Sequence, residues 1–362
     1  MQSFYDLDTP ALIVDCDRLE RNITRMSRRA EAGGKRLMPH AKTHKCPEIA
    51  RLQLAAGAAG LTLAKVSEAE VMADLGVNLF IANQLVGPHK LERLTSVLRR
   101  VPVRIAIDGT DTLPALAAAA AAAGTQIELS IEADTGLGRA GVRSEGEAVE
   151  LAREISARPG LHLHSIFTYE GHVMRLAEEH ARAAAAAAVA KQLRHLAEAL
   201  AAAGTPVEHV SVGSTPASQY MAGEPGITEM RCGVYVFNDR MEMRLGVPEE
   251  DCALSVLTTV ISVRTDGRII VDAGTKSLAG DCPFEDRTYG SVIGWPSLKF
   301  AAASEEHGHL QLQEGRAPRV GEKLRIIPNH ACTCINMHNQ MTAVRNEAIE
   351  AVWPIATRGC VQ

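Results

Sequence analysis

Residues 102–132 read PVRIAIDGTDTLPALAAAAAAAGTQIELSIE. The stretch opens on an apolar run, PVRIAID, and turns through GTDT into an alanine-rich segment that ends at Gly124. It then returns to a second apolar run, IELSIE. Alanine is the best helix former and glycine the usual residue just past a helix end, so the pattern reads strand, helix, strand. Two strands joined through a helix lie parallel in one sheet. The same alternation continues in both directions. Further apolar runs stand at 36–40 (RLMPH), 59–64 (AGLTLA), 78–83 (NLFIAN), 163–169 (LHSIFTY), 207–212 (VEHVSV) and 227–231 (ITEMR). Between them lie helix formers such as EAEVMADLG and GEAVELAREISA, and a second alanine-rich run spans 181–204. Eight such units close naturally into a (β/α)8 TIM barrel. An open doubly wound sheet is the alternative, but no GxGxxG opens the first unit.

The texture changes near residue 246. After the turn-rich GVPEED come LSVLTTVISV, GRIIVDAG, YGSVIG and EKLRIIPNHACTCINM, short β-branched runs separated by glycine or charge. The sequence therefore predicts a barrel over 16–246 and an all-β domain over 247–362. Residues 1–15 include the strand-like TPALIVD, expected to pair with the β-domain.

Composition narrows the function classes. The chain has 362 residues, 46% hydrophobic and 22% charged, with a net charge of -5 and aromatics at 4%. A nucleic-acid binder needs a basic footprint and stacking rings, so nucleic acid is excluded as a partner. No run approaches the roughly 20 apolar residues of a membrane span. The N-terminus lacks a charged-then-apolar signal pattern. Eight cysteines in this length are too sparse for a disulfide scaffold, and reduced thiols in a cytoplasmic protein are the expectation.

Catalytic groups of an α/β barrel sit at the C-terminal ends of its strands, and phosphate binds after strands seven and eight. The segment after the first strand is PHAKTHK, with His40, Lys42, His44 and Lys45. Glu132, Asp134 and Arg139 follow the fifth strand, and Tyr169 and His172 the sixth. Asn83 and Gln84 end the third. Gly213, Ser214 and Thr215 follow the seventh strand and Gly233 the eighth, offering backbone N–H groups and hydroxyls to an anion. A lysine at a strand end beside a phosphate site suggests a Schiff base to pyridoxal phosphate. In PNHAC, His330 and Cys332 share one face if the segment is a strand, and so can ligate one ion. On the same premise Cys334 and His338 extend that face. Imidazole plus thiolate favours zinc.

These pieces together resemble the fold-type III pyridoxal phosphate enzymes. Within them the chain is similar to the D-threonine aldolase and D-serine dehydratase family, metal-activated relatives of alanine racemase. The resemblance runs through DTPALIVDCDRLERNI, PHAKTHKCPEIA, AKVSEAE, GLGRAGV, RCGVYVFND, VDAGTKSLAGD, EEHG and PNHAC, nearly the whole chain. It implies that Lys42 holds the cofactor and that Arg139 lies beside the ring's phenolic oxygen. It further implies that Gly213, Ser214, Thr215, Gly233 and Val234 surround the phosphate, and that His330 and Cys332 hold a divalent metal, zinc or manganese. Tyr169 is expected near the pyridine ring. The family's Gly-Gly-Thr loop is altered here, with Val212 and Ser214 around Gly213.

The resemblance implies a small-molecule D-amino acid substrate and a homodimer. The expected reaction is retro-aldol cleavage of a D-threonine-type substrate to glycine and an aldehyde, with His172 as base for the β-hydroxyl. The alternative is β-elimination from D-serine or D-3-hydroxyaspartate to a 2-oxo acid and ammonia. Cys332, where the family's aldolases often carry an acid, and Arg175, six residues beyond Tyr169, lean toward that branch. A racemase and a non-catalytic pyridoxal phosphate-binding protein are more distant readings. Spacing alone assigns no role to Lys276 or Asp281.

Overall fold

The computed structural model describes residues 3–283 and 287–362, and the chain divides into two units. One comprises Arg25–Lys42, Ile49–Gly233 and Cys360–Gln362. The other comprises Met1–Thr24, Thr43–Glu48 and Val234–Gly359. Strands are numbered in chain order, beginning with β1 (Ala11–Asp15) in the second unit.

The first unit holds β2 (Arg36–Leu37), β3 (Leu61–Leu63), β4 (Leu79–Ile81), β5 (Val103–Ile107), β6 (Ile127–Glu132), β7 (Leu161–Phe167), β8 (His209–Val212) and β9 (Glu229–Met230). They pair in parallel in the order β2-β9-β8-β7-β6-β5-β4-β3. A parallel bridge between His40 and Thr62 joins the two ends and closes the barrel. Several strands are shorter than their apolar runs. In RLMPH, Pro39 has no N–H to give a ladder, and the strand stops at Leu37. The alanine-rich segments are helices as read, Leu113–Ala123 and Glu179–Ala202. Gly124 closes the first at φ 69°, a left-handed conformation that glycine adopts without a Cβ clash.

Helices outside and packed side chains inside leave every residue of β5 buried, Arg104 included. That guanidinium lies 2.6 Å from the Glu229 carboxylate and stacks 4.2 Å from the Phe80 ring centroid. Phe80 meets Phe167 edge-on at 5.2 Å, and Met38 and Ala106 complete the cluster. The barrel interior thus carries an apolar layer and a paired charge, the arrangement a buried ion requires.

The second unit is built on β1, β10 (Leu254–Val263), β11 (Arg268–Val271), β12 (Gly290–Val292), β13 (Leu298–Ala303), β14 (Gly308–Leu312), β15 (Lys323–Pro328), β16 (Gln340–Arg345) and β17 (Ala348–Pro354). The sheet order is β11-β14-β13-β12-β15-β10-β1-β16-β17, with β10 also pairing β11. The length of β10 and its bulge between Val260 and Ser262 let one strand reach both partners. β1 lies antiparallel to β10 and parallel to β16, and Ile13 packs with Phe4, Leu257 and Val344. This unit takes in Val234–Gly246 as well, a segment that the texture of the sequence groups with the barrel. Hydrogen bonds explain its place: Ala253 N–H donates to Phe237 O at 2.6 Å and Asn22 Nδ2 to Val236 O at 3.2 Å.

One local expectation is corrected. β15 ends at Pro328, and Ala331–Ile335 form a short helix with His330 at its N-cap. His330 and Cys332 are therefore not alternate residues of a strand. The helix forms because the Asp239 carboxylate accepts the Ala331 N–H at 2.8 Å, a cap supplied from far away in the chain.

Candidate functional site

In the barrel unit, the C-terminal strand ends gather the expected cofactor residues. Lys42 follows the bridge at His40, and its N–H reaches His40 Nδ1 at 3.4 Å. Its Nζ stands 5.8 Å from the centroid of the Tyr169 ring, and the Arg139 guanidinium stands 5.6 Å from the same ring. Arg139 is held there by Glu132, a buried carboxylate at the end of β6, at 2.9 Å. The second Glu132 oxygen accepts from Gln84 at 2.7 Å. A lysine amine, an aromatic face and a fixed guanidinium thus surround one place. That donor set suits a phosphorylated pyridine aldehyde: an amine for the aldehyde, a cation for the phenolic oxygen and a ring for the π-face.

His172 lies in the turn Gly171–Arg175. A Cβ built on Gly136 would stand 3.0 Å from His172 Nε2, so only glycine lets the neighbouring loop come this close. That loop is tied by Asp134, which accepts the N–H groups of Gly136 and Gly138 at 3.1 and 2.9 Å. His172 Nδ1 is buried without a hydrogen-bond partner among the described residues. Buried polar atoms are rarely left so.

The loop after β8 has a different arrangement from the one expected. The N–H groups of Gly213 and Ser214 both donate to the buried Glu170 carboxylate, each at 2.9 Å. Thr215 Oγ1 accepts the Gly233 N–H at 3.2 Å. The amides do converge on an anion, but in this structure the anion is a side chain of the chain itself. Val234 begins the other unit.

In that unit His330 and Cys332 come together by the helix turn rather than by strand alternation. His330 Nδ1 lies 3.0 Å from Asp239 Oδ2, and the imidazole is also hydrogen-bonded to Cys332. With Nδ1 taken, Nε2 is the nitrogen left for the thiol. Burial opposes charge on the ring, yet the hydrogen bonds to Asp239 and Cys332 carry its pKa up to about 11. Burial and the nearby Asp239 push the Glu242 carboxyl up to about 8. A carboxylate behind a histidine beside a thiol is the usual support for a metal-binding imidazole, so the donor set fits a divalent ion. Cys334 and His338 do not extend it. Cys334 Sγ and His338 Nε2 both meet the Ser277 carbonyl, at 3.3 and 2.8 Å.

Four residues at these sites carry no role in the sequence reading: Glu170, Thr43, Asp239 and Glu242. Asp239 has a local signal. It caps Arg240–Met243 with its side chain on the Glu242 N–H, the D-x-x-E pattern of a helix start. Lys276 pairs with exposed Glu306 at 2.7 Å. Asp281 accepts from the Thr333 hydroxyl and so steadies the turn that carries Cys332.

Residues 14–241 match the alanine racemase N-terminal domain, and 253–344 match a serine dehydratase domain. A D-threonine aldolase of Arthrobacter sp is 33% identical, with 98% of this chain and 93% of that one covered. The crystal structure of a D-threonine aldolase from Filomicrobium marinum superposes with a TM-score of 0.93 at 33% identity, covering 100% of each chain. A D-threo-3-hydroxyaspartate dehydratase, solved as a cysteine-to-alanine variant in a metal-free form, gives a TM-score of 0.89 at 34% identity, covering 98% and 99%. No helix among the described residues is long and apolar enough to cross a membrane. By fold, by both matched domains and by near full-length identity, the chain belongs to the alanine racemase-like family of pyridoxal phosphate-dependent lyases.

Proposed function

We propose that the protein is a lyase acting on D-β-hydroxy-α-amino acids, cleaving the Cα–Cβ bond to give glycine and an aldehyde. The observation that carries this reading is His172, whose buried Nδ1 has no hydrogen-bond partner among the described residues. Lys42, Tyr169, Arg139 and Thr215 hold pyridoxal phosphate. Gly213 and Ser214 hold their loop on Glu170 instead of standing as free donors. When bound, the cofactor supplies an electron sink for a breaking bond at Cα. A divalent ion held by His330 and Cys332 supplies a Lewis acid for the substrate's β-oxygen.

The chain's own groups then divide the work. Arg139, fixed by Glu132, keeps its charge oriented at the mouth. Tyr169 presents a ring face between the lysine and the guanidinium. His172 Nδ1 accepts the proton of the β-hydroxyl, which lets the carbonyl of the leaving aldehyde form as the Cα–Cβ bond parts. Cys332 favours the second reading, dehydration by β-elimination, because it stands where the resemblance implies that the family's aldolases often carry an acid. In that case Lys42 Nζ takes the Cα proton and hydroxide leaves.

His172→Asn separates the two. Under the aldolase reading it removes the base for the hydroxyl, and D-threonine turnover falls ~10²–10⁴-fold in kcat. Unchanged turnover would contradict it. The relatives' small amino-acid substrates, a homodimeric assembly and a reducing cytoplasmic compartment complete the proposal. Sedimentation of the active protein as a stable monomer would oppose the dimer.

A further inference from the structure

The N-terminal ends of β6, β7 and β8 collect histidines and carboxylates that neither Lys42 nor the His330–Cys332 pair uses. β7 opens Leu161-His162-Leu163-His164, and Glu208 stands directly before His209 at the start of β8. On β6, Glu128 pairs with His162. The β6–β7 register then shifts, Leu129 with Leu163 but Ser130 with Ser165, which leaves His164 as the extra residue of a bulge. A bulge re-aims its side chain. His164 Nε2 lies 3.6 Å from Glu128 Oε2 and 3.8 Å from Glu208 Oε2. Its ring centroid is 5.2 Å from that of His209. One ligand atom from each of His164, Glu208 and His209 lies within 4.8 Å of the others.

The surrounding contacts set the protonation that a ligand needs. His209 Nδ1 bonds the Thr228 hydroxyl at 3.1 Å, and its Nε2 meets the Arg36 guanidinium, which only donates. Nε2 therefore carries a lone pair, with Thr228 fixing the ring from behind as supporting groups do in metal sites. Burial together with Arg104 and Arg36 lowers the pKa of both imidazoles, which keeps them neutral as a ligand must be. Arg104 is neutralised by Glu229 at 2.6 Å, and its approach to His164 Nδ1, 3.5 Å, is at the outer limit of a hydrogen bond. Glu128 and Glu208 face Arg36, Arg104 and His162, and His162 Nε2 lies 3.4 Å from Glu208 Oε1, which leaves Oε2 as the oxygen turned to His164.

We infer that His164, Glu208 and His209 bind a divalent transition ion, with zinc the best fit to two imidazoles and a carboxylate. The site is separate from the one proposed at His330 and Cys332. Binding displaces Arg36 from His209 Nε2, and water completes the shell. This is the barrel end where fixed groups serve stability rather than catalysis, so the ion ties β7 to β8.

The test uses the pyridoxal phosphate-loaded His330→Ala/Cys332→Ala double variant, in which any ion bound is held elsewhere. Titration with Zn²⁺ in a calorimeter and with Co²⁺ in the visible range is expected to show one equivalent, the cobalt spectrum lacking a thiolate charge-transfer band. Adding His164→Ala or His209→Ala, with folding checked by circular dichroism, weakens binding at least ~100-fold. Adding Arg36→Ala instead frees His209 and tightens it. No stoichiometric ion in the double variant, or affinity indifferent to His164 and His209, overturns the assignment. Weaker binding in the Arg36→Ala chain does so too, without depending on whether a histidine variant folds.

Discussion

Cys332 Sγ donates to Thr43 Oγ1 at 3.3 Å, and Thr43 is the residue directly after Lys42. Cys332 and Thr43 lie in the same unit, so the turn proposed to carry a divalent ion is bonded to Thr43. Lys45, in the same segment, reaches the Thr357 carbonyl at 3.2 Å. Thr43→Val removes the thiol's acceptor and is expected to cost about 0.5–1.5 kcal/mol in chemical denaturation. The visible cofactor spectrum should be unchanged, because Lys42 itself is untouched.

Lys42→Ala is expected to abolish the visible absorbance band of lysine-linked pyridoxal phosphate and all turnover. A band that survives in the purified variant would move the attachment to another lysine.

The His330 imidazole, held charged by Asp239 and Cys332 with a pKa of about 11, must lose its proton to take an ion. Divalent metal binding at neutral pH should therefore release protons, and apparent affinity should rise with pH. Calorimetry in buffers of different ionisation enthalpy reads the count directly. Asp239→Asn removes the carboxylate behind the ring and should weaken binding ~10–100-fold. Metal uptake without proton release would place the ion elsewhere.

Glu229 gives a pH signature of stability. Burial pushes its carboxyl up, but the charge and hydrogen bond of Arg104, the Ser211 hydroxyl and Arg231 outweigh it and hold the group below its ordinary value. A depressed carboxyl stabilises the fold above its unfolded pKa, about 4.3, and that contribution fades as pH falls through the folded value. Arg104→Met strands the buried charge and should cost about 3–5 kcal/mol, while Arg104→Met with Glu229→Met should recover much of it. Urea midpoints at pH 7 for the three chains check the order.

The barrel was legible because alternation, alanine-rich helices and terminal glycines all pointed the same way. Residues 127–132 and 254–263 form strands over the full extent of their apolar runs. The ligand turn was not legible. Residues 331–335, ACTCI, have no helical periodicity, and Thr333 and the cysteines suit a strand as well. What makes them helical is Asp239, a cap 92 positions away. The same limit hid Glu170. YEGH shows an acid between Tyr169 and His172, but not that its carboxylate takes the two amides of Gly213 and Ser214. Long-range side-chain-to-backbone bonds leave no trace in local pattern. The register shift that frees His164 also depends on the partner strand, and so lies outside what β7 alone can say.

The measurement that bears most directly on the function is product identification by NMR. The protein is incubated with pyridoxal phosphate, Mn²⁺ or Zn²⁺, and D-threonine, with L-threonine as the control. Glycine and acetaldehyde in equal amounts, from the D-isomer only, are the expected products. 2-Oxobutyrate and ammonia would contradict C–C cleavage and assign the site to β-elimination, with Lys42 as the base at Cα.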